Sequence, residues 1–233
     1  MGARIKDLKS GARLYWLIYA LAWTITHFVS RYHVTGREHV PKTGTLLIVA
    51  NHLSWYDPVI VGLALRRRVW FFTKKEMFSW PVAGWMCRTT GQIPVQRGEG
   101  DRAALEKALA YLRDGKSLVV FPEGTVERQE QMIPAYTGVA MLALRSGATI
   151  LPVAHTGSRR ILRRGRGWFP RIQVYIGTPY IPTLPEGVAR KAGLQEVTQD
   201  VMGRIAAMLP VENRGVYSDT HFHVQLDMKN SDI

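Results

Sequence analysis

Residues 46–58, LLIVANHLSWYDP, run from an apolar segment through a short polar loop to the start of a helix. Leu46–Ala50 are all apolar, with no alternation, the pattern of a strand buried on both faces by covering helices. DPVIVGLAL then reads as a helix, with Asp57 at the N-cap and Pro58 at N1, where a missing N–H is harmless. Between strand and helix stand Asn51 and His52, so an imidazole and a carboxylate meet where a buried strand ends.

The same alternation extends outward in both directions. HVTG (33–36), TLLIVA (45–50), RVWFFT (68–73), QIPV (92–95), SLVVF (117–121), TILPVA (149–154) and RIQVYIG (171–177) are apolar or β-branched runs bounded by Gly, Pro, Asn or charge, and read as strands. Residues 101–114 carry Leu105, Leu109 and Leu112 on one helical face, with Gly115 closing the helix. Residues 134–147 and 189–209 read as further helices. The fold expected is α/β, a central mixed sheet flanked by helices over 33–212. Residues 1–32 form a separate N-terminal helix, and 213–233 a polar, flexible tail. Two tail histidines, His221 and His223, lack further ligands and read as solvated side chains rather than a metal site.

A chain of 233 residues, 46% of them hydrophobic, fills one large core. The single cysteine, Cys87, excludes an internal disulfide and a thiolate zinc cluster, which suits a reducing compartment. A net charge of +13 calls for an anionic partner, nucleic acid or a lipid surface. The N-terminus favours lipid. Leu14–Ser30 are seventeen residues without Asp, Glu, Lys or Arg, a helix of about 25 Å against a hydrocarbon core of roughly 30 Å. Arg4, Lys6, Lys9 and Arg13 precede it and Arg31 and Arg37 follow, so both flanks suit one anionic face. Tyr15, Tyr19 and Trp23 stack along one side, as at a headgroup boundary; a core helix with an aromatic stripe is the competing reading. The expectation is a helix lying in the membrane surface, peripheral or monotopic, on the cytoplasmic face. The six arginines and no acid of residues 159–171 then read as a basic face towards lipid rather than a nucleic-acid site.

Four polar clusters follow or close apolar strands: Asn51 and His52, Arg97 after QIPV, PEGT (122–125) after SLVVF, and His155 after TILPVA. In α/β sheets the carboxyl ends of strands form the ligand crevice, so these clusters converge on one edge. A histidine whose ring N–H is held by Asp57 is a general base poised near neutral pH. Residues five apart lie about 140° apart on a helix, so a turn of loop, rather than one helix face, must bring His52 and Asp57 together. Ser54 raises a hydrolase reading, but the chain holds no G-x-S-x-G elbow. Activation of a hydroxyl on a second substrate is more economical, which makes the chemistry acyl transfer to an alcohol.

Here the sequence resembles the 1-acylglycerol-3-phosphate (lysophosphatidic acid, PlsC-like) acyltransferases over roughly residues 34–180. Their N-H-x-x-x-x-D motif stands as NHLSWYD; G-x-I-P-V-x-R as GQIPVQR after the lead-in KKEMFSWPVAGW; F-P-E-G-T as FPEGT; and the apolar run with a proline as TILPVA. The resemblance implies that His52 takes the acceptor hydroxyl proton and Asp57 orients it. It assigns phosphate contact to Arg97, and glycerol or structural contacts to Glu123, Gly124 and Thr125. Many members continue F-P-E-G-T with Arg-Ser, whereas Val126 and Glu127 follow here; Arg128, Lys74 and Lys75 are the substitute cations.

The implied reaction moves a fatty acyl group from acyl-CoA or acyl carrier protein to the sn-2 hydroxyl of 1-acylglycerol-3-phosphate, giving phosphatidic acid, with no metal or bound cofactor. Another lysophospholipid or lipid alcohol is the alternative acceptor. More distant rivals are a nucleic-acid-binding module and a metal hydrolase using His52, Asp57, Glu123 and His155. The acyl channel is expected along the helix 57–65 and along 77–85, with Trp80 and Trp85 as lining or core.

Overall fold

The computed structural model describes residues 2–96, 101–126, 130–162 and 169–218, with the side chains of 2–11 and Leu162 left aside. Seven strands form one mixed sheet: β1 (Arg31–Thr35), β2 (Leu46–Ala50), β3 (Val69–Lys74), β4 (Ile93–Val95), β5 (Ser117–Val120), β6 (Thr149–Thr156) and β7 (Arg171–Ile176). Their spatial order is β1-β7-β6-β2-β5-β3-β4. Strands β2 to β6 run parallel; β7 pairs antiparallel with β6 and parallel with β1, so the last two strands on that side are reversed.

The five residues of β2 are all buried because helices cover both faces. On one side Leu46, Ile48 and Ala50 pack with Ile60, Val61 and Ala64 of α2 (Asp57–Leu65). On the other, Leu47 and Val49 meet α4 (Arg102–Arg113), α5 (Gly138–Ser146) and α6 (Arg190–Ala207) through Leu109, Leu142 and Ile205. Pro152 sits in the middle of β6 opposite Val49, although proline cannot donate to a ladder. It is tolerated where β6 changes partners: pairing with β7 begins only at Val153, and Gly177 N–H donates to the Pro152 carbonyl at 2.9 Å.

Helix α1 (Gly2–Val29) is longer than the uncharged stretch alone, and of the aromatic stripe Tyr15 and Tyr19 face the protein while Trp23 is 44% exposed. Tyr15 donates to the Arg67 carbonyl at 3.1 Å and accepts from Val69 N–H at 3.2 Å, and Tyr19 donates to the Leu63 carbonyl at 3.1 Å. These hydroxyls dock α1 on the α2–β3 junction. The outward face carries Leu17, Leu21, Ile25 and Phe28, all exposed. Leu17, Leu21 and Phe28 lie roughly 140–180° around the axis from the mean direction of the two tyrosines, and Ile25 about 100°, as 100° per residue dictates. No helix among the described residues is long and apolar enough to cross a membrane.

One helix escaped the sequence pattern: α3 (Pro81–Thr90) interrupts the lead-in to GQIPVQR. Trp80 and Trp85, expected as channel lining or core, are 53% and 51% exposed.

Candidate active site

Chain direction sets the site. Strands β2, β5 and β6 end at one edge, and Asn51–His52, Phe121–Glu123 and His155 emerge there together. Asn51 ends the β2–β6 ladder with its side chain: Nδ2 donates to the His155 carbonyl at 3.0 Å, and Oδ1 accepts from His155 N–H at 2.9 Å. The amide replaces a peptide group, which frees the backbone of β2 to turn and present His52.

His52 Nδ1 meets Asp57 Oδ2 at 2.9 Å. A carboxylate only accepts, so Nδ1 carries a hydrogen, and in the neutral ring Nε2 is the nitrogen with the lone pair. The same Oδ2 accepts from Leu53 N–H and Ser54 N–H, both at 2.6 Å, while Asp57 N–H donates back to the Ser54 carbonyl at 3.1 Å. Asp57 is the first residue of α2 rather than its cap, because its carboxylate is turned back into the preceding loop. The Ser54 hydroxyl is engaged within its own loop, where it accepts from Tyr56 N–H at 3.2 Å.

Burial opposes ionisation of Asp57, yet His155, the His52 hydrogen bond and charge, and the Ser158 hydroxyl together hold its carboxyl below the usual range. His155 is fully buried, with Nε2 2.8 Å from the Asn51 carbonyl and 3.6 Å from Asp57 Oδ2. Asp57 is therefore gripped between two histidines and two backbone amides, geometry that stabilises an imidazolium on His52 when one forms.

Glu123 is buried, and its Oε1 accepts from His52 N–H at 3.1 Å. FPEGT thus holds the histidine loop from below, a structural contact. Gly124 lies at φ 68, and a Cβ there would come within 2.9 Å of the Tyr136 ring. The His52 ring stacks on Phe121 with centroids 4.3 Å apart.

A cavity of about 320 Å³ opens from His52 and runs between the sheet and α4 and α5, past Phe72, Val95, Leu105, Val139 and Leu142. Its wall is mainly apolar, with Lys74 and Tyr136 among the polar exceptions. This is the face opposite α2, so of the two channel segments expected, helix 57–65 contributes only Pro58 and 77–85 nothing. A smaller apolar pocket of about 150 Å³, under α1, takes more of α2: Pro58, Val59, Gly62 and Leu63. Sharing Asp101 and Ala104 with the main cavity is a polar cleft of about 430 Å³ that carries Lys75 and Lys107.

The expected site residues divide accordingly. His52, Asp57, Glu123 and Gly124 come together at the cavity; Thr125 is exposed on the loop beside it, and Lys75 stands in the adjoining cleft. Arg97 and Arg128 lie outside the described residues, although Gln96 and Asp101, which bracket Arg97, both line the cleft. Sequence reasoning missed the Asn51–His155 exchange and the Asp57 contact with the Leu53 and Ser54 amides. It also left Trp55, over whose ring Lys74 Nζ sits at 5.4 Å, without a place. Among the described residues no group of three or more His, Cys, Asp or Glu side chains is arranged to hold a metal ion.

Known proteins resemble this chain in sequence and in fold. The lyso-ornithine lipid O-acyltransferase of Pseudomonas aeruginosa is 37% identical over 111 residues, 47% of this chain and 42% of that one. The 1-acyl-sn-glycerol-3-phosphate acyltransferase of Streptococcus pneumoniae is 28% identical over 166 residues, 70% of this chain. The alignments span 42% and 60% of the lengths of these two relatives. The crystal structure of the 1-acyl-sn-glycerophosphate acyltransferase PlsC from Thermotoga maritima superimposes with a TM-score of 0.66 at 25% identity, covering 83% of this chain and 78% of that one. The Acyltransferase family model matches residues 31–156, from the first strand through the two histidines to the end of β6, and the chain belongs to that family.

Proposed function

We propose that this chain transfers a fatty acyl group from a thioester, acyl-CoA or acyl carrier protein, to the sn-2 hydroxyl of 1-acylglycerol-3-phosphate, giving phosphatidic acid. The observation that carries this reading is His52, fixed through Nδ1 on a buried Asp57 and lining a mainly apolar cavity. His52 Nε2 takes the hydroxyl proton as the oxygen attacks the thioester carbonyl. The tetrahedral intermediate then expels the thiolate, which recovers that proton from His52. Asp57, ionised throughout, stabilises the transient imidazolium. The cavity takes apolar chain and keeps water from the thioester. Lys75 in the adjoining cleft supplies charge for the acceptor phosphate, the role the resemblance also gives Arg97 and for which Arg128 is a substitute; Glu123, Gly124 and Thr125 shape the loop beneath the reacting hydroxyl. The reading needs no cofactor, no metal and no nucleic acid.

The acceptor is a membrane lipid, so the protein works at an anionic membrane surface, on its cytoplasmic face. The outward apolar face of α1 supports this: among the described residues nothing covers Leu17, Leu21, Ile25 and Phe28, which are all exposed.

A second acceptor class, a lysolipid without a phosphomonoester, is favoured by two observations. Val126 stands where the resemblance expects arginine, and a relative with 37% identity is named for lyso-ornithine lipid. Thiol release from oleoyl-CoA, measured with lysophosphatidate, lyso-ornithine lipid, monoacylglycerol and no acceptor, tests both readings. Release that depends on lysophosphatidate is expected. Release fastest with lyso-ornithine lipid moves the acceptor to the second class, and release independent of acceptor overturns transfer altogether.

A further inference from the structure

The reversal of β1 and β7 brings their first residues to the edge where β2 and β6 end, so Arg31 and Arg171 stand at the same sheet edge as His52. The register pairs Arg31 with Arg171 and His33 with Gln173. Strand alternation turns all four to the face away from α2, since Tyr32, Val34, Ile172 and Val174 pack on the α2 side. Together with Tyr32 they line a cleft of about 330 Å³, and none of them lines the His52 cavity.

Two arginines directly opposite each other on neighbouring strands repel. Here no carboxylate offsets them: among the described residues neither Arg31 nor Arg171 makes an ion pair. The pair is bordered by exposed apolar side chains. Phe28 is 74% exposed and Val29 41%, immediately before β1. Phe169 is 49% exposed and is brought alongside because Arg31 N–H donates to the Pro170 carbonyl at 3.0 Å. Paired guanidinium forks beside apolar side chains match one ligand chemistry, a phosphate attached to hydrocarbon at a bilayer surface. Guanidinium offers parallel donors to phosphate oxygens, and the apolar rim enters the acyl boundary.

We infer that Arg31, His33, Arg171 and Gln173 form a binding site for the phosphate of an anionic membrane phospholipid, separate from the catalytic cavity. This deepens the membrane reading above and rests on it. The site occupies the catalytic edge, with β7 about 10 Å from β2 across two strand spacings. A headgroup seated there holds that edge against the lipid layer from which the acceptor comes.

The test is co-sedimentation of the full chain with vesicles of phosphatidylcholine alone or mixed equally with phosphatidylglycerol. R31Q/R171Q should bind the phosphatidylglycerol vesicles about 30-fold more weakly than the unmodified chain, as expected for two arginines at an anionic surface. The charge-matched control R113Q/R145Q alters two exposed residues at the opposite edge of the sheet and should bind nearly as well as the unmodified chain. R31K/R171K, which keeps charge but loses the fork, should fall between, and it stands in if the glutamine pair does not fold. Soluble glycerol 3-phosphate should not displace the protein. Equal losses in R31Q/R171Q and R113Q/R145Q, with the unmodified chain bound, would overturn the site but not membrane binding. Failure of the unmodified chain to bind any vesicle would overturn both. Displacement by glycerol 3-phosphate would show a site for soluble phosphate and overturn the lipid assignment.

Discussion

The side-chain amide of Asn51 and the backbone of His155, 104 residues apart, exchange two hydrogen bonds of 3.0 and 2.9 Å in the buried floor of the site. Removing the amide leaves a buried N–H and a buried carbonyl without partners. Asn51→Ala should lose about 2–4 kcal/mol of unfolding free energy, for two unsatisfied groups. Turnover should fall at the same time, because His52 is the next residue. Urea unfolding measures the first effect, and a loss below half a kilocalorie would show that the exchange carries no strain-free stability.

His52→Ala should lower turnover by roughly 10²- to 10⁴-fold, with the thermal midpoint close to that of the unmodified chain. Asp57→Asn should also slow the reaction, since an amide orients the ring without stabilising its cation. Thiol release with saturating acceptor reads both, and near-normal turnover in His52→Ala rules out the proposed base.

The depressed Asp57 carboxyl makes stability depend on acid in a definite direction. Its ionised form contributes fully above the ordinary carboxylate range, and the contribution fades as pH falls through its own lower value. The stability gap between the unmodified chain and Asp57→Asn should therefore narrow on acidification. Urea midpoints taken from neutral pH downward measure it; a gap that widens contradicts the assigned ionisation.

Arg97→Ala should raise the Michaelis constant for lysophosphatidate by an amount corresponding to about 1.5–3 kcal/mol, the loss of a charge-assisted contact, with a smaller rise in Arg128→Ala. Initial rates against monoacylglycerol, which has no phosphate, should barely change. Equal effects on the two acceptors would dissociate Arg97 from phosphate.

Deleting α1 would uncover the surface that Tyr15 and Tyr19 dock, so the membrane reading is better tested from outside. Leu17→Gln, Leu21→Gln and Phe28→Gln together should leave the thermal midpoint unchanged and reduce vesicle binding by at least tenfold, given the apolar area withdrawn. Acylation of a short-chain, soluble acceptor should persist. Unaltered vesicle binding would remove α1 from the membrane contact.

Six strands were readable as short apolar or β-branched runs closed by Gly, Pro, Asn or charge, and β1 only from His33 onward because it begins at Arg31 with alternating exposed residues; α2 was readable because Pro58 marks its first turn. Helix α3 was not. Its sequence, PVAGWMCRTT, places Gly84 in the middle and leaves Trp85 outside, so neither propensity nor an apolar stripe announces it. Gly84 is there because a Cβ would come within 2.2 Å of the Phe78 carbonyl, a close approach set by the turn 75–79 folding back on the helix. In the site, His52 and Asp57 could be paired from sequence because one short loop holds both. The partnership of Asn51 with His155 depends on β2 and β6 being neighbours, which no local pattern encodes. The course of the cavity depends likewise on which sheet face α4 and α5 cover.

Helix α1 passes into β1 across one residue, Ser30, which is buried and donates to the Thr26 carbonyl at 2.6 Å. A joint this short has no slack. Any tilt or roll of the helix is transmitted as torque to the strand, and through the sheet to the loop that carries His52. An insertion of a few flexible residues after Ser30 would act as a universal joint, leaving each part intact while decoupling the angle of the helix from the aim of the catalytic edge.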